Sequence, residues 1–130
     1  MAKLIEMDER VTIFAQMEED VGPVILINKF SVDPEEFDQF LKGWAIEAEK
    51  FKVQPGFIST QLHKGIGGSG TFINYAVWES AAHFKTAVNN VMNPQDRMSA
   101  YPPSTVASPH LFKKVAVEVL SIPADHGLTR

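Results

Sequence analysis

Cysteine is absent from the 130-residue chain. Its absence excludes disulfides, thiol nucleophiles and cysteine-ligated metals, and it fits a reducing cytoplasm, the expected location. Basic residues are few, 12 Lys and Arg against 16 Asp and Glu. They are scattered, so no block supplies the phosphate neutralisation that nucleic-acid binding requires. A long apolar run is missing too. The first 20 residues carry Glu6, Asp8, Glu9, Glu18, Glu19 and Asp20, a pattern that argues against a signal peptide or a membrane anchor. The four histidines, His63, His83, His110 and His126, form no close pair with metal-ligand spacing, so no metal is expected. No serine occupies a nucleophile elbow and no helix carries paired carboxylates, which leaves hydrolase chemistry without apparatus. A chain of this length is one domain with one core, and its partners are expected to be small molecules or protein.

What is present is a regular alternation of apolar patterns. VILINKFSV, from Val24 to Val32, reads as a strand with Leu26, Asn28 and Phe30 on one face and Ile25, Ile27 and Lys29 on the other. Asp33-Pro34-Glu35-Glu36 reads as a helix start in which Asp33 caps, Pro34 takes the first turn and Glu36 completes a capping-box-like pair. Phe37, Phe40, Leu41, Trp44, Ala48 and Phe51 then recur at helical spacing. Pro55-Gly56 ends that helix. Strands follow at Phe57 to Lys64 and Thr71 to Glu79, and Ser80 caps a second helix from Ala81 to about Val91.

The two middle strands are joined by a segment with G-x-G-x-x-G spacing, Gly65, Gly67 and Gly70. A phosphate site would need a helix opening at the glycines. A strand follows instead, so the glycines read as a hairpin turn. Gln95 to Ala100 reads as a short extra helix within a proline-rimmed loop, and KKVAVEVLSI, Lys113 to Ile122, as the last strand. The expected order is therefore β-α-β-β-α-β, an α+β ferredoxin-like domain with an antiparallel sheet over residues 23–122. Residues 1–22 form an N-terminal extension, with Val11 to Ala15 either a short strand or loose, and residues 123–130 a C-terminal tail. Helices on one side leave the other sheet face to be covered by a second copy, giving a dimeric α/β barrel.

Several side chains break the apolar patterns. Asn28 and Asn74 interrupt strands whose neighbours are apolar, so their amides need partners. Asn28 and Trp78 on the helix-facing side would let an aromatic ligand stack on the indole while the amide bonds its oxygen. His83, five residues beyond Trp78, is a candidate proton shuttle. Trp44 either fills the core or lines a pocket. Arg97 and Tyr101 bracket DRMSAY and are candidates for attracting an anion and donating a hydrogen bond.

VILINKFSVDPEEFDQFLKGW, the Pro55-Gly56-Phe57 step and NYAVWESAAHF from Asn74 to Phe84 together resemble the antibiotic biosynthesis monooxygenase family. The resemblance covers about Val24 to Val91. It implies a ferredoxin-like chain that dimerises through its sheet. It also implies oxidation of phenolic or hydroquinone-like aromatics by dioxygen without metal or flavin, with Asn28 and Trp78 clamping the ring and its oxygen, and Arg97 and Tyr101 as phenolate contacts by residue type. The related haem-degrading branch has an axial histidine ten residues after the tryptophan, where this chain has Val88. From a different class, a catalytically silent dimer that binds a small aromatic ligand fits the same pattern.

Overall fold

The computed structural model describes residues 1–92, 98–118 and 120–121. Its elements run β1 (Lys3–Leu4), α1 (Ile13–Gln16), β2 (Val24–Ser31), a 3-10 turn (Pro34–Glu36), α2 (Phe37–Phe51), β3 (Phe57–Lys64), β4 (Thr71–Trp78), α3 (Ala81–Val91) and β5 (Val106–Phe112). From β2 onward the order is the expected β-α-β-β-α-β. The sheet order is β1-β5-β2-β4-β3. The four strands after β1 pair antiparallel, and β1 adds a parallel edge against β5. The fold is thus α+β and ferredoxin-like, with a mixed sheet because of the extra edge strand.

Strand alternation decides what faces the helices. Val24, Leu26 and Phe30 of β2 and Phe72, Ala76 and Trp78 of β4 are buried, and the register places Phe30 opposite Phe72 and Val24 opposite Trp78. One cluster packs Val24, Leu26, Ala76 and Trp78 under Ala81, Phe84, Ala87 and Val88 of α3. A second packs Phe30 and Phe72 under Phe40 of α2. Both helices therefore cover the same sheet face. Phe40 is fully buried, edge-on to Phe30 at 4.9 Å between ring centroids, so the phenylalanines at helical spacing do form the core stripe.

The hairpin between β3 and β4 turns at Gly67 and Gly68, whose φ angles of 73° and 78° explain the glycines. A strand follows, not a helix, and the segment is a turn. In β3 a bulge between Phe57 and Ser59 shifts the register. Phe57 thereby joins the helix-facing side with Thr60 and Leu62, instead of sharing a face with Ser59 and His63 as strict alternation predicts.

Three expectations require correction. The last strand is Val106–Phe112, not Lys113 to Ile122. Pro109 disguises it. Ile5 N–H bonds Ala107 O on the outer side of β5, and Leu111 N–H points the same way to Gln16 Oε1. Pro109 lies between them at the same parity, beyond the end of β1, where its missing N–H interrupts no ladder. Val115, Val117 and Leu120 of the expected strand are exposed. His110, expected in a loop, consequently stands on β5. Second, Val11 to Ala15 is no strand. Ile13 begins a helical turn capped by Thr12, and Ile13 and Met17 are buried in the core. Third, Asp33 makes no side-chain cap. Glu36 Oε1 instead accepts from Ser104 N–H at 3.0 Å, and Asp33 N–H donates to Ser104 Oγ, which ties the start of α2 to the loop before β5. Of the expected helix Gln95 to Ala100, residues 95–97 lie outside the described residues, and 98–100 form a turn.

Candidate functional site

Between the helix-facing side of the sheet and the helices lies a cavity of about 110 Å³. For scale, an engineered apolar cavity of about 150 Å³ binds benzene. Its floor is built by β2, β4 and β3, which contribute Leu26, Asn28, Phe30, Asn74, Ala76, Trp78 and Thr60. Its roof comes from Trp44, Glu47 and Phe51 of α2 and Phe84 and Val88 of α3. Leu4, Ile13 and Phe14 close one side, so the N-terminal segment is a wall of the cavity.

Asn28 and Asn74 face each other across β2 and β4. They form a polar rung between the two apolar clusters. Asn74 Oδ1 accepts from Thr60 Oγ1 at 2.5 Å. Asn28 Oδ1, by contrast, is buried without a hydrogen-bond partner among the described residues, and so is the indole Nε1 of Trp78. The ring of Trp78 is held edge-on by Phe57, Phe84 and Phe51 at centroid distances of 5.4, 5.6 and 6.1 Å. Unpaired buried polar atoms cost of the order of 1–3 kcal/mol each. Asn28 and Trp78 both belong to the lining of the largely apolar cavity. Thr105 Oγ1 is also buried without a partner, but Thr105 is not part of the cavity lining.

Trp44 and Tyr101 line the cavity as well. Tyr101 stacks on Phe40 at 5.4 Å, and its hydroxyl donates to Glu47 Oε1 at 2.7 Å. Burial pushes the Glu47 carboxyl above the usual carboxylate range against the opposing effect of that hydrogen bond. Burial, reinforced by the adjacent Glu47 charge, pushes the Tyr101 hydroxyl far above the usual phenol range. Tyr101 therefore remains protonated.

The structure brings together Asn28, Asn74, Trp44, Trp78 and Tyr101 around one space. His83 is not among the lining residues. Its backbone N–H donates to the Ser80 cap at 3.0 Å, its Nδ1 lies 2.7 Å from the same oxygen, and its ring covers Gly56, where a β-carbon would meet it at 2.3 Å. Arg97 lies outside the described residues, next to Met98, which lines the cavity. His63 is exposed on the far sheet face. His110 is also on that face, its Nδ1 3.1 Å from Gln16 Nε2.

Sequence reasoning missed Glu47 and Thr60. A signal for Glu47 existed: it falls three residues after Trp44 and four before Phe51, at a core position of the helical stripe. Thr60 was hidden by the bulge. Among the described residues no group of three His, Asp or Glu side chains is placed to hold a metal. No helix of the described residues is long and apolar enough to cross a membrane.

Comparison with known proteins agrees with this architecture. The model of the antibiotic biosynthesis monooxygenase family matches residues 23–92, from the start of β2 to the end of α3. A crystal structure from Shewanella loihica PV-4, provisionally named a monooxygenase, is 29% identical, with a TM-score of 0.60 over 76% of this chain and 99% of that one. SnoaB, a cofactor-independent oxygenase from Streptomyces nogalater, is 24% identical, with a TM-score of 0.62 over 77% of this chain and 98% of that one. A heme-degrading protein from Mycobacterium tuberculosis is also 24% identical, with a TM-score of 0.55 over 75% and 99%. At 24% identity the likeness is one of fold alone. No curated protein matches the chain.

Proposed function

The chain belongs to the antibiotic biosynthesis monooxygenase family, and from that premise we propose that it is a cofactor-independent monooxygenase acting on a phenolic or hydroquinone-like aromatic. The observation that carries this reading is the aromatic-lined cavity whose lining includes Asn28 and Trp78, an acceptor and a donor left unpaired among the described residues. A planar aromatic ring fits the apolar walls, and its oxygen substituents satisfy the two orphaned atoms.

In the proposed reaction a phenol with a free para C–H loses its hydroxyl proton and becomes an electron-rich anion. Dioxygen adds at the para carbon as a peroxide. Loss of the para C–H proton and cleavage of the O–O bond then give the quinone and water, so the substrate supplies all four electrons that reduce dioxygen. A hydroquinone, whose para carbon already carries a hydroxyl, gives the quinone by loss of two electrons and two protons, and dioxygen leaves as hydrogen peroxide. The protein's part is to exclude water, align the ring and hold the anion by fixed dipoles. The Trp78 N–H is a donor for the developing oxyanion, Asn28 Oδ1 accepts from a second hydroxyl, and Trp44 and Tyr101 confine the ring plane. Asn74, fixed by Thr60, completes the polar rung. His83 is a proton carrier at the margin of the site in this scheme, and Arg97 a contact for the substrate's anionic form.

Haem does not fit this cavity. The position of the haem branch's axial histidine is taken by buried Val88, and no histidine is among the lining residues. A second copy of the chain is proposed to cover the free sheet face, and a cytoplasmic location is proposed from the lack of cysteine.

The test is oxygen consumption and quinone absorbance with metal-stripped protein and a panel of hydroquinones and anthrone-like phenols. Turnover in the wild type that falls at least about tenfold in Asn28→Ala and Trp78→Ala, with matched circular dichroism, supports the oxygenase reading. Tight binding without oxygen uptake across the panel would transfer the site to the alternative, a non-catalytic dimer that binds small aromatic ligands.

A further inference from the structure

Glu47 has no role in the scheme above, yet its position is costly. A partly buried carboxylate in an apolar wall is destabilising unless a cation or several donors compensate it. Among the described residues it forms no ion pair, and Lys50, one turn along α2, is the cation that acts on it. Its one hydrogen bond among the described residues is the 2.7 Å contact to Oε1 from Tyr101. Oε2 accepts no hydrogen bond among the described residues, and Glu47 is part of the cavity lining. The other described residues of the lining are apolar, aromatic or neutral amides and hydroxyls, so Glu47 and Tyr101 are the ionisable groups facing the space. The N-terminal wall, β5 and α3 contribute none.

We propose that Glu47 is the proton acceptor of the cavity, taking the proton of a ligand hydroxyl, so that the site admits neutral phenols in preference to ligands that arrive ionised. The inference rests on the reading of the cavity as a phenol site. In the step, the ligand O–H bond breaks, the proton bonds to Glu47 Oε2 and the electron pair stays on the ligand oxygen. Net charge in the cavity is conserved, so the transfer needs no counter-ion. Tyr101 acts through Glu47 as a positioning residue: its donated hydrogen bond fixes the carboxylate and leaves Oε2 toward the ligand. The gap between a phenol near pKa 10 and an ordinary carboxylate, about 6 units, narrows from both sides. Burial raises the carboxyl, and the Trp78 N–H stabilises the phenolate. An ionised ligand gains nothing from this arrangement and meets a like charge.

The preference can be read without turnover. Both tryptophans of the chain line the cavity, so quenching of their fluorescence reports occupancy. The probe is 4-nitrophenol, which ionises near neutral pH and is too electron-poor to be oxidised readily by dioxygen. Titration of the full chain from about pH 5 to about pH 9 should show wild-type affinity falling at least about tenfold as the probe ionises. Glu47→Gln keeps the acceptor for Tyr101 and should bind the ionised probe at least as well as the neutral one. With an oxidisable hydroquinone, Tyr101→Phe should move the acid limb of the kcat/KM profile to higher pH, because the hydrogen bond it removes lowers the Glu47 pKa. A merely structural role of Tyr101 would leave that limb in place.

An unchanged pH dependence of binding in Glu47→Gln would overturn the proposal, with Glu47→Asp as a second variant should the first fail to fold. Absence of probe binding by the wild type would overturn both this inference and the phenol-site reading. The expected switch in binding, accompanied by no oxygen uptake, would sustain Glu47 as acceptor and remove only the oxygenase step.

Discussion

The two faces of the sheet are made from the same strands, residue by residue in alternation, and each is incomplete in the opposite sense. On the helix side the defect is polar: Asn28 Oδ1 and Trp78 Nε1 are buried with no partner among the described residues, in a largely apolar enclosure. On the far side it is apolar: Ile58 is 52% exposed, and Ile73, Tyr75 and Phe112 are more than a third exposed. Ile25, Ile27 and Val77 lie among them. An enclosed space with unpaired polar atoms fits a small ligand, whereas an open β-surface of aliphatic and aromatic side chains fits another surface of the same kind. The difference teaches that one alternating pattern can encode two recognition events, with the helices deciding which face becomes a pocket.

The largest expected effect tests whether the helix-facing side is the core that holds the chain together. Phe40→Ala, which empties the centre of the aromatic cluster, should destabilise the protein by about 3–5 kcal/mol, whereas Ile73→Ala on the far face should change stability by less than about 1 kcal/mol. Urea denaturation at a protein concentration low enough to exclude association checks both. Comparable losses would remove the distinction between a core face and an interface.

Next in size is self-association. A charge placed on the far face, Tyr75→Asp, should weaken the proposed dimer by at least about 1.4 kcal/mol, a tenfold change in its dissociation constant. The stability of the isolated chain should hardly change. Sedimentation equilibrium of wild type and variant measures the first quantity. A monomeric wild type at high concentration would leave the apolar face without the occupant proposed for it.

Glu47 sharpens the comparison from the cavity side, since it adds a charge to the face that already carries unpaired polar atoms. Its folded-state pKa is raised by burial. The folded chain therefore binds the proton more tightly than the unfolded chain, and stability falls as pH rises from the ordinary carboxylate range through the raised value. Glu47→Gln should stabilise the protein at neutral pH by about 1 kcal/mol, and the gain should vanish as the pH falls below the ordinary carboxylate pKa. Melting temperatures of the two proteins against pH give the difference directly. Asp8 and Glu36 have lowered pKa values and the opposite slope, but both are common to the two proteins and cancel.

How much of this was legible in the sequence follows from how each element is held. β2, α2, β3, β4 and α3 were readable because their burial repeats with the period of the element: Phe40 and Trp44 in the helix, Phe72 and Trp78 in the strand. The last strand was not. Lys113 to Ile122 has the stronger β-pattern, but Val106–Phe112 is the segment whose pairing with β2 places Ala107 in the core. Pro109 is tolerated only because it stands beyond β1, a fact of topology that local propensity does not contain. The N-terminal wall was illegible for a similar reason. Ile13 and Met17 are a single helical turn apart with no repeat beyond it, and Leu4 takes its place only because β5 offers an edge. In the site, Asn28 and Asn74 were found as exceptions to a pattern and Trp78 by sharing the strand of Asn74, whereas Glu47 was passed over because a glutamate in a charged helix reads as solvated.

The smallest expected effect on stability discriminates most sharply between a pocket and a core. If the carboxamide of Asn28 were part of an internal network, Asn28→Ala would strand its partners and destabilise the chain by about 1–3 kcal/mol. Its oxygen has no partner among the described residues, however, and what the truncation removes is an acceptor whose desolvation is uncompensated in the empty protein. The loss of side-chain contacts with neighbours such as Leu26 and Phe30 works in the other direction. The two terms are similar in size, so denaturation should place Asn28→Ala within about 0.5 kcal/mol of wild type. Affinity for a hydroxylated aromatic should fall nonetheless, because in the bound state that acceptor holds a hydroxyl proton that the variant leaves unpaired. A side chain that contributes little to folding and much to binding is in place for a ligand. A stability loss of several kcal/mol would instead make Asn28 a structural residue and the orphaned oxygen a sign of internal rearrangement.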